Sequence, residues 1–223
     1  SGTHRIELSN QANAGEIRYT LDGSEPTRDS RLYTGPFTSS SPRKITAATF
    51  IARQRMSSPR SRIYDRATAL RRSDDELRSC ANKLVLRLED DAPVSGTRAV
   101  FNVDILEPCW VWEKADLSGV TGLAASVGQV PFNFQVGDAV KQIPRVLPKT
   151  TAGELQVRKD SCDGDVIAVL PLAPATRNQA VTSLPRASFG RQVRETGEHD
   201  LCFRFTGRGI DPIWTLKSVQ LFE

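Results

Sequence analysis

The sequence predicts an all-β protein in two parts, the second of them a β-sandwich of the jelly-roll kind. Three observations lead there. Short segments rich in β-branched and aromatic residues recur between clusters of Gly, Pro, Asp and Ser, the pattern of antiparallel strands joined by tight turns. Helix signals are scarce. All four cysteines, Cys80, Cys109, Cys162 and Cys202, lie in the later part of the chain and set it apart from the first.

In the first part, strands are expected near residues 5–8, 17–21, 45–51 and 60–64. Within the second of these, Ile17, Tyr19 and Leu21 recur every two residues, so they share one face and should be core. Between Tyr64 and Cys80 the strand pattern lapses. Ser73 with Glu76 three residues later makes a capping box, which satisfies two amide donors at the start of a short helix. Residues 66–79 therefore read as a linker between a first domain, 1–65, and a second, 80–223.

The second part carries strand patterns at residues 83–89, 98–105, 109–113, 154–159, 166–170, 200–206 and 213–222. Val100, Asn102 and Asp104 alternate with Ala99, Phe101, Val103 and Ile105, as a sheet with one wet face demands. Asp163-Gly164 lies between two strands, where both residue types tolerate the positive φ of a hairpin turn. Seven strands in about 145 residues suggest the jelly-roll sandwich.

Composition bounds the function. Of 223 residues, 39% are apolar and 25% charged, and no apolar run approaches the roughly 20 residues of a transmembrane helix, so no membrane partner is expected. The net charge of +4 is uneven, with seven arginines between Arg53 and Arg72 against the single acid Asp65. These are spread over a strand end and a connector with Tyr64 as the one aromatic among them, which fits a solvated surface rather than a nucleic-acid interface. An even number of cysteines, widely spaced and without Cys-x-x-Cys, argues against zinc and for two disulfides made in an oxidising compartment. Three pairings are open. The first residues hold neither a signal region nor an initiator methionine, so the chain reads as a piece whose export signal lies elsewhere.

Two resemblances sharpen this. Tyr19-Thr20-Leu21-Asp22-Gly23-Ser24-Glu25-Pro26-Thr27, followed by Leu32-Tyr33-Thr34-Gly35-Pro36-Phe37, resembles the small fibronectin-type-III-like domain at the C-terminus of bacterial chitobiases and β-hexosaminidases. Asp22-Gly23 and Glu25-Pro26 turn the chain, and Tyr33 and Phe37 can pin the returning segment to the sheet. Leu88-Glu89-Asp90-Asp91-Ala92-Pro93, Pro108-Cys109-Trp110-Val111-Trp112 and Gly197-Glu198-His199-Asp200-Leu201-Cys202-Phe203 resemble the extension that follows that domain in some proteobacterial members. More distantly, they are similar to calcium-containing carbohydrate-binding modules.

The fold so implied is a small immunoglobulin/fibronectin-III-like sandwich followed by a larger, galactose-binding-like jelly roll. The function so implied is that of a non-catalytic C-terminal accessory region of a periplasmic or secreted β-N-acetylhexosaminidase. Its partner would be the catalytic domain of the same parent chain, with no nucleic acid, membrane or cofactor involved. That parent family removes terminal N-acetylhexosamine with an Asp-Glu pair on a separate α/β barrel, for which this chain has no room.

The candidate residues follow from chemistry. Carbohydrate-binding modules of this kind hold structural calcium with carboxylates on the first and last strands, because a hard cation takes oxygen ligands. Here Glu89 keeps one such acid, while Arg87 and Lys217 stand in place of others. No metal is therefore expected, and Glu89 should be compensated by Arg87 or Lys217. The tryptophan expected after the hairpin is missing, since residues 173–184 hold no aromatic.

A different platform for an N-acetylhexosamine-containing glycan would be Trp110 and Trp112, two apart on one strand face, with Gln129, Asn133 and Gln135 as hydroxyl partners. The competing reading packs those rings, and Trp214 with them, into the core. Asp22 with Glu25, and His199 with Asp200, are acid/base pairs on paper, but each sits in a turn, where structural hydrogen bonds account for such residues.

Overall fold

The computed structural model describes residues 3–10, 13–40, 42–90, 98–177, 180–190 and 197–223. Asp91, Ala92 and Pro93 of the quoted motifs, and residues 178–179 of the aromatic-free loop, lie outside them. The described chain is almost entirely β, and it divides into two compact units between Leu70 and Arg71.

The first unit contains β1 (Thr3–Ile6), β2 (Glu16–Thr20), β3 (Arg31–Leu32), β4 (Phe37–Ser40), β5 (Arg43–Ile51), β6 (Gln54–Arg55) and β7 (Arg60–Tyr64). Strands β1 and β4 form one antiparallel pair; β3, β2 and β5 form a second sheet, with β6 and β7 both paired to β5. Its core is Ile6, Tyr19 and Ile45, with Leu21, Tyr33, Phe37 and Tyr64 packed against them. Tyr19 stacks on Phe37 at 4.8 Å, and Tyr33 meets the same ring edge-on at 6.4 Å, so the returning segment is pinned as its sequence suggests. Ile17, expected beside Tyr19, is only half-buried.

The acids of the turn are engaged in shaping it. Asp22 accepts hydrogen bonds from the Ser24 amide and hydroxyl, and Glu25 pairs with Arg55 at 2.7 Å. Those two hydroxyl and amide bonds hold the Asp22 carboxyl below its ordinary range. The unit ends in one helical turn, α1 (Arg66–Ala69), capped by Asp65, whose Oδ1 accepts from the Thr68 amide at 2.8 Å.

The second unit contains β8 (Arg71–Ser73), β9 (Arg78–Ser79), β10 (Val85–Glu89), β11 (Val100–Asp104), β12 (Cys109–Asp116), β13 (Gly122–Val130), β14 (Glu154–Lys159), β15 (Val166–Pro171), β16 (Thr182–Ser183), β17 (Ala187–Ser188), β18 (Glu198–Phe205) and β19 (Ile213–Phe222). One sheet runs β15-β14-β18-β12-β9; the other runs β16-β13-β19-β8, with β17 added to β13. They form a β-sandwich. Leu155, Val157, Leu201 and Phe203 from the first sheet and Leu123, Val127, Leu216 and Leu221 from the second are all buried. Strands β10 and β11 form a separate hairpin.

Residues 71–79, read as part of a linker, carry β8 and β9 and belong to the sheets of the second unit, where β8 pairs with β19 and β9 with β12. The capping box is present between them, on the single turn Asp74–Glu76. The central strand β13 carries no strand signal in Gly122-Leu123-Ala124-Ala125-Ser126-Val127-Gly128, because Ala, Gly and Ser disfavour strands on their own. Its small residues are a packing requirement: a Cβ at Gly128 would overlap the Phe101 ring, and one at Gly122 the Ala187 backbone.

Nor is the Asn102/Asp104 face of β11 simply wet. Asp104 is buried and accepts from the amides of Lys83, Leu84, Leu106 and Glu107, tying both ends of the hairpin.

Candidate functional site

At one end of the second unit, an aromatic series runs from the core to the surface. Trp110, on β12, is 2% exposed and donates its indole N–H to the Asn102 carbonyl at 3.0 Å. Its ring meets Phe205 edge-on at 5.9 Å, and Phe205 stacks on Trp214 at 6.1 Å. Phe205 closes β18 and Trp214 opens β19, so both stand where strands give way to the Gly-rich loop 206–212. Both are half-buried.

They line a pocket with Phe132, Arg145, Glu107 and Arg204. The sheltered space is about 70 Å³. That is well under the roughly 300–1,000 Å³ that encloses a whole small molecule, so it can shelter a substituent while the rest of a ligand lies outside.

Two of the charged groups, Glu107 and Arg204, are paired. Glu107 is held by Lys83 at 2.8 Å and by Arg204 at 3.7 Å. Phe132 and Ile143 to Val146 add to the wall, and the segment that carries them returns to the sheet at Glu154. This carboxylate, 3% exposed, accepts from the amides of Thr150 at 2.6 Å and Lys149 at 3.2 Å and from the Thr206 hydroxyl at 2.7 Å. Burial alone would raise its pKa, but the hydrogen bonds from Thr150, Thr206 and Lys149 outweigh it and hold the carboxyl below its usual range. The Gly207 amide then bonds the Val146 carbonyl at 2.9 Å, joining the wall to the loop. A ring face beside fixed charged and amide groups suits a ligand with an apolar face and polar edges.

The predicted platform is not built. Trp112, like Trp110, is 2% exposed, because both faces of β12 are covered over Cys109–Trp112. Arg72 lies over the Trp112 ring at 4.7 Å. Gln129 spends its amide on the Ala175 carbonyl at 2.8 Å. Asn133 and Gln135 are exposed, but with both indoles buried they have no platform to flank. By sequence alone Trp214 reads as core, and Phe205, Arg204 and Glu107 do not stand out. The available signal was the loop Gly207-Arg208-Gly209 leading into a tryptophan at a strand start.

The calcium-site substitution also resolves differently. Lys217 does not compensate Glu89: its ammonium lies 2.8 Å from Asp74 Oδ1 and donates to the Val100 carbonyl. Glu89 is instead near Arg98, at 3.8 Å. His199 and Asp200 diverge as well. Nδ1 of His199 lies 2.7 Å from Asp160, while Asp200 accepts from the Lys114 amide at the β12 bulge.

The cysteines pair as Cys80–Cys109 and Cys162–Cys202. Among the described helices, none is long and apolar enough to cross a membrane.

Known structures similar to this one include a family 6 carbohydrate-binding module from Clostridium cellulolyticum in complex with xylose. It is 20% identical, covers 69% of this chain and 96% of its own, and has a TM-score of 0.43. A β-1,3-glucan-binding module of the same kind from Bacillus halodurans is 12% identical over 69% of this chain and 95% of its own, with a TM-score of 0.45. A third, from Clostridium stercorarium in complex with cellobiose, is 13% identical over 69% and 92%, with a TM-score of 0.44. No curated protein matches along its sequence. Residues 1–61 match the family model described as the Chitobiase/beta-hexosaminidase C-terminal domain.

Proposed function

We propose that this chain is a non-catalytic accessory region of a secreted or periplasmic β-N-acetylhexosaminidase. In this reading the first unit serves as a packing module for the catalytic domain of the same parent chain. The second unit contributes a shallow contact for N-acetylhexosamine-containing glycans at the pocket of Phe205 and Trp214. The observation that carries the reading is the family match over residues 1–61. The two disulfides support an oxidising compartment. The pocket supports the choice of sugar: an acetamido group is the size of substituent that the sheltered space takes, while the pyranose ring can lie against Trp214.

Titrating the chain with N-acetylglucosamine oligomers tests this through tryptophan fluorescence. The expected result is a saturable change that disappears in Trp214→Ala. No response at millimolar sugar would remove the binding role and leave packing alone. That second reading draws on the burial of Trp110 and Trp112, which serve the core.

A further inference from the structure

The pocket of Phe205 and Trp214 is unevenly charged. Its lining holds two guanidinium groups, Arg145 and Arg204, and one carboxylate, Glu107. The loop that closes it adds Arg208, between the lining residues Gly207 and Gly209, and Asp211, between Ile210 and Pro212. Most of these groups have partners. Glu107 lies 2.8 Å from Lys83 and 3.7 Å from Arg204, and Arg204 also lies 3.8 Å from Asp163. Asp211 accepts from the Phe132 amide at 2.9 Å, which ties the loop to the wall. Arg145 and Arg208 are left over. Both are exposed, and neither side chain has an ion pair or hydrogen bond among the described residues.

A general excess of cations does not explain this. Residues 71–223 hold 19 basic side chains against 20 acidic ones, so the surplus at this end of the second unit is local. A guanidinium without a partner offers a planar fork of donors that matches a carboxylate, and the charge strengthens each hydrogen bond it makes. A neutral sugar hydroxyl uses neither the fork nor the charge. Trp214 adds an apolar face for a pyranose ring, and the sheltered space of about 70 Å³ takes one substituent. A ligand that uses all three features is an amino-sugar glycan carrying a carboxylate on the ring or on its neighbour.

Resting on the glycan contact proposed above, we propose that the pocket selects acidic N-acetylhexosamine glycans over neutral ones, with Arg145 and Arg208 meeting the carboxylate. The sugar ring lies on Trp214, the acetamido group enters the sheltered space, and the carboxylate stays at the rim with the two exposed guanidinium groups. Two kinds of glycan supply this chemistry. In one, N-acetylglucosamine alternates with N-acetylmuramic acid, whose lactyl ether bears the acid; in the other it alternates with a uronate.

The test titrates the full chain, disulfides intact, with three tetrasaccharides at low salt: the N-acetylglucosamine tetramer and one alternating oligomer of each acidic kind. At least one acidic tetrasaccharide should bind about tenfold more tightly than the neutral one, as two partly exposed charge pairs allow, and which one does so identifies the source. In 1 M NaCl, where the Debye length falls to about 3 Å, the advantage should shrink. It should also collapse in the double variant Arg145→Gln/Arg208→Gln, whose fold circular dichroism checks. Trp214→Ala should abolish the binding of all three. If both acidic oligomers bind no more tightly than the neutral one, or the advantage survives in the double variant, the selectivity is wrong while the glycan contact stands. Acidic binding that persists in Trp214→Ala would be charge attraction elsewhere and would overturn the proposal. If none of the three binds at millimolar concentration, the glycan contact falls and the selectivity with it.

Discussion

Lys217 reaches Asp74 across 143 positions of sequence, its ammonium 2.8 Å from a carboxylate whose side chain is 1% exposed. Asp74 also accepts the Asn102 amide at 2.8 Å, so one buried acid joins the turn after β8, the β10–β11 hairpin and the last strand. The lysine is a third exposed, which softens its desolvation. Replacing it with Met strands the acid. Lys217→Met should therefore destabilise the second unit by about 1–3 kcal/mol, less than the full cost of breaking a wholly buried pair. Adding Asp74→Asn should recover part of that loss in a double-mutant cycle read by urea unfolding. An additive pair would show that the two do not interact.

Two tryptophans of one aromatic series should separate in their effects. Trp110→Ala empties a buried site and should cost about 3–5 kcal/mol. Trp214→Ala, at the pocket rim, should cost less and abolish any fluorescence response to N-acetylglucosamine oligomers. Denaturation midpoints and sugar titrations on the same samples check both halves. Equal destabilisation would place Trp214 in the core.

Gly128 should not tolerate a side chain. Its missing Cβ is the space that the Phe101 ring fills. Gly128→Ala should destabilise by about 1–3 kcal/mol through overpacking. Adding Phe101→Leu should relieve part of it, which thermal unfolding of the single and double variants measures.

Acid should loosen the pocket wall through Glu154. Its folded-state pKa is depressed, so the unfolded chain binds the proton more readily. The stability it contributes is complete above the unfolded value, about 4.3, and is lost as the pH falls through the lower folded value. Glu154→Gln should be less stable than the natural chain at pH 7, and the gap should close on acidification from pH 5 towards 3. A gap that stays constant over that range would exclude the linkage. Asp22 and Asp65, held low by their bonds to Ser24 and Thr68, act with the same sign in the first unit.

Local features were legible in the sequence because they depend on near neighbours. The strands with two-residue alternation, the Ser73–Glu76 capping box and the Asp22–Ser24 turn need only residues within reach of a few bonds. The pinning of Tyr33 and Phe37 is almost as local. What failed were assignments that depend on the partner. Strand β13 is written in residues that avoid strands unless a ring such as Phe101 requires small neighbours. Trp110 and Trp112 alternate as a platform would, but alternation separates two faces of a strand and does not say that one is wet. Here both are covered over four residues.

Composition and periodicity thus settled the all-β class, whereas the expected linker, 66–79, carries β8 and β9 of the second unit. Tertiary structure alone decided which cysteines pair, which acid Lys217 meets, and that an aromatic series ends at Trp214 instead of Trp112. The physical reason is the same in each case. Hydrogen-bonded turns and face alternation are set by a few successive dihedrals, whereas burial, charge pairing and sulfur contact are set by distances between strands far apart in the chain.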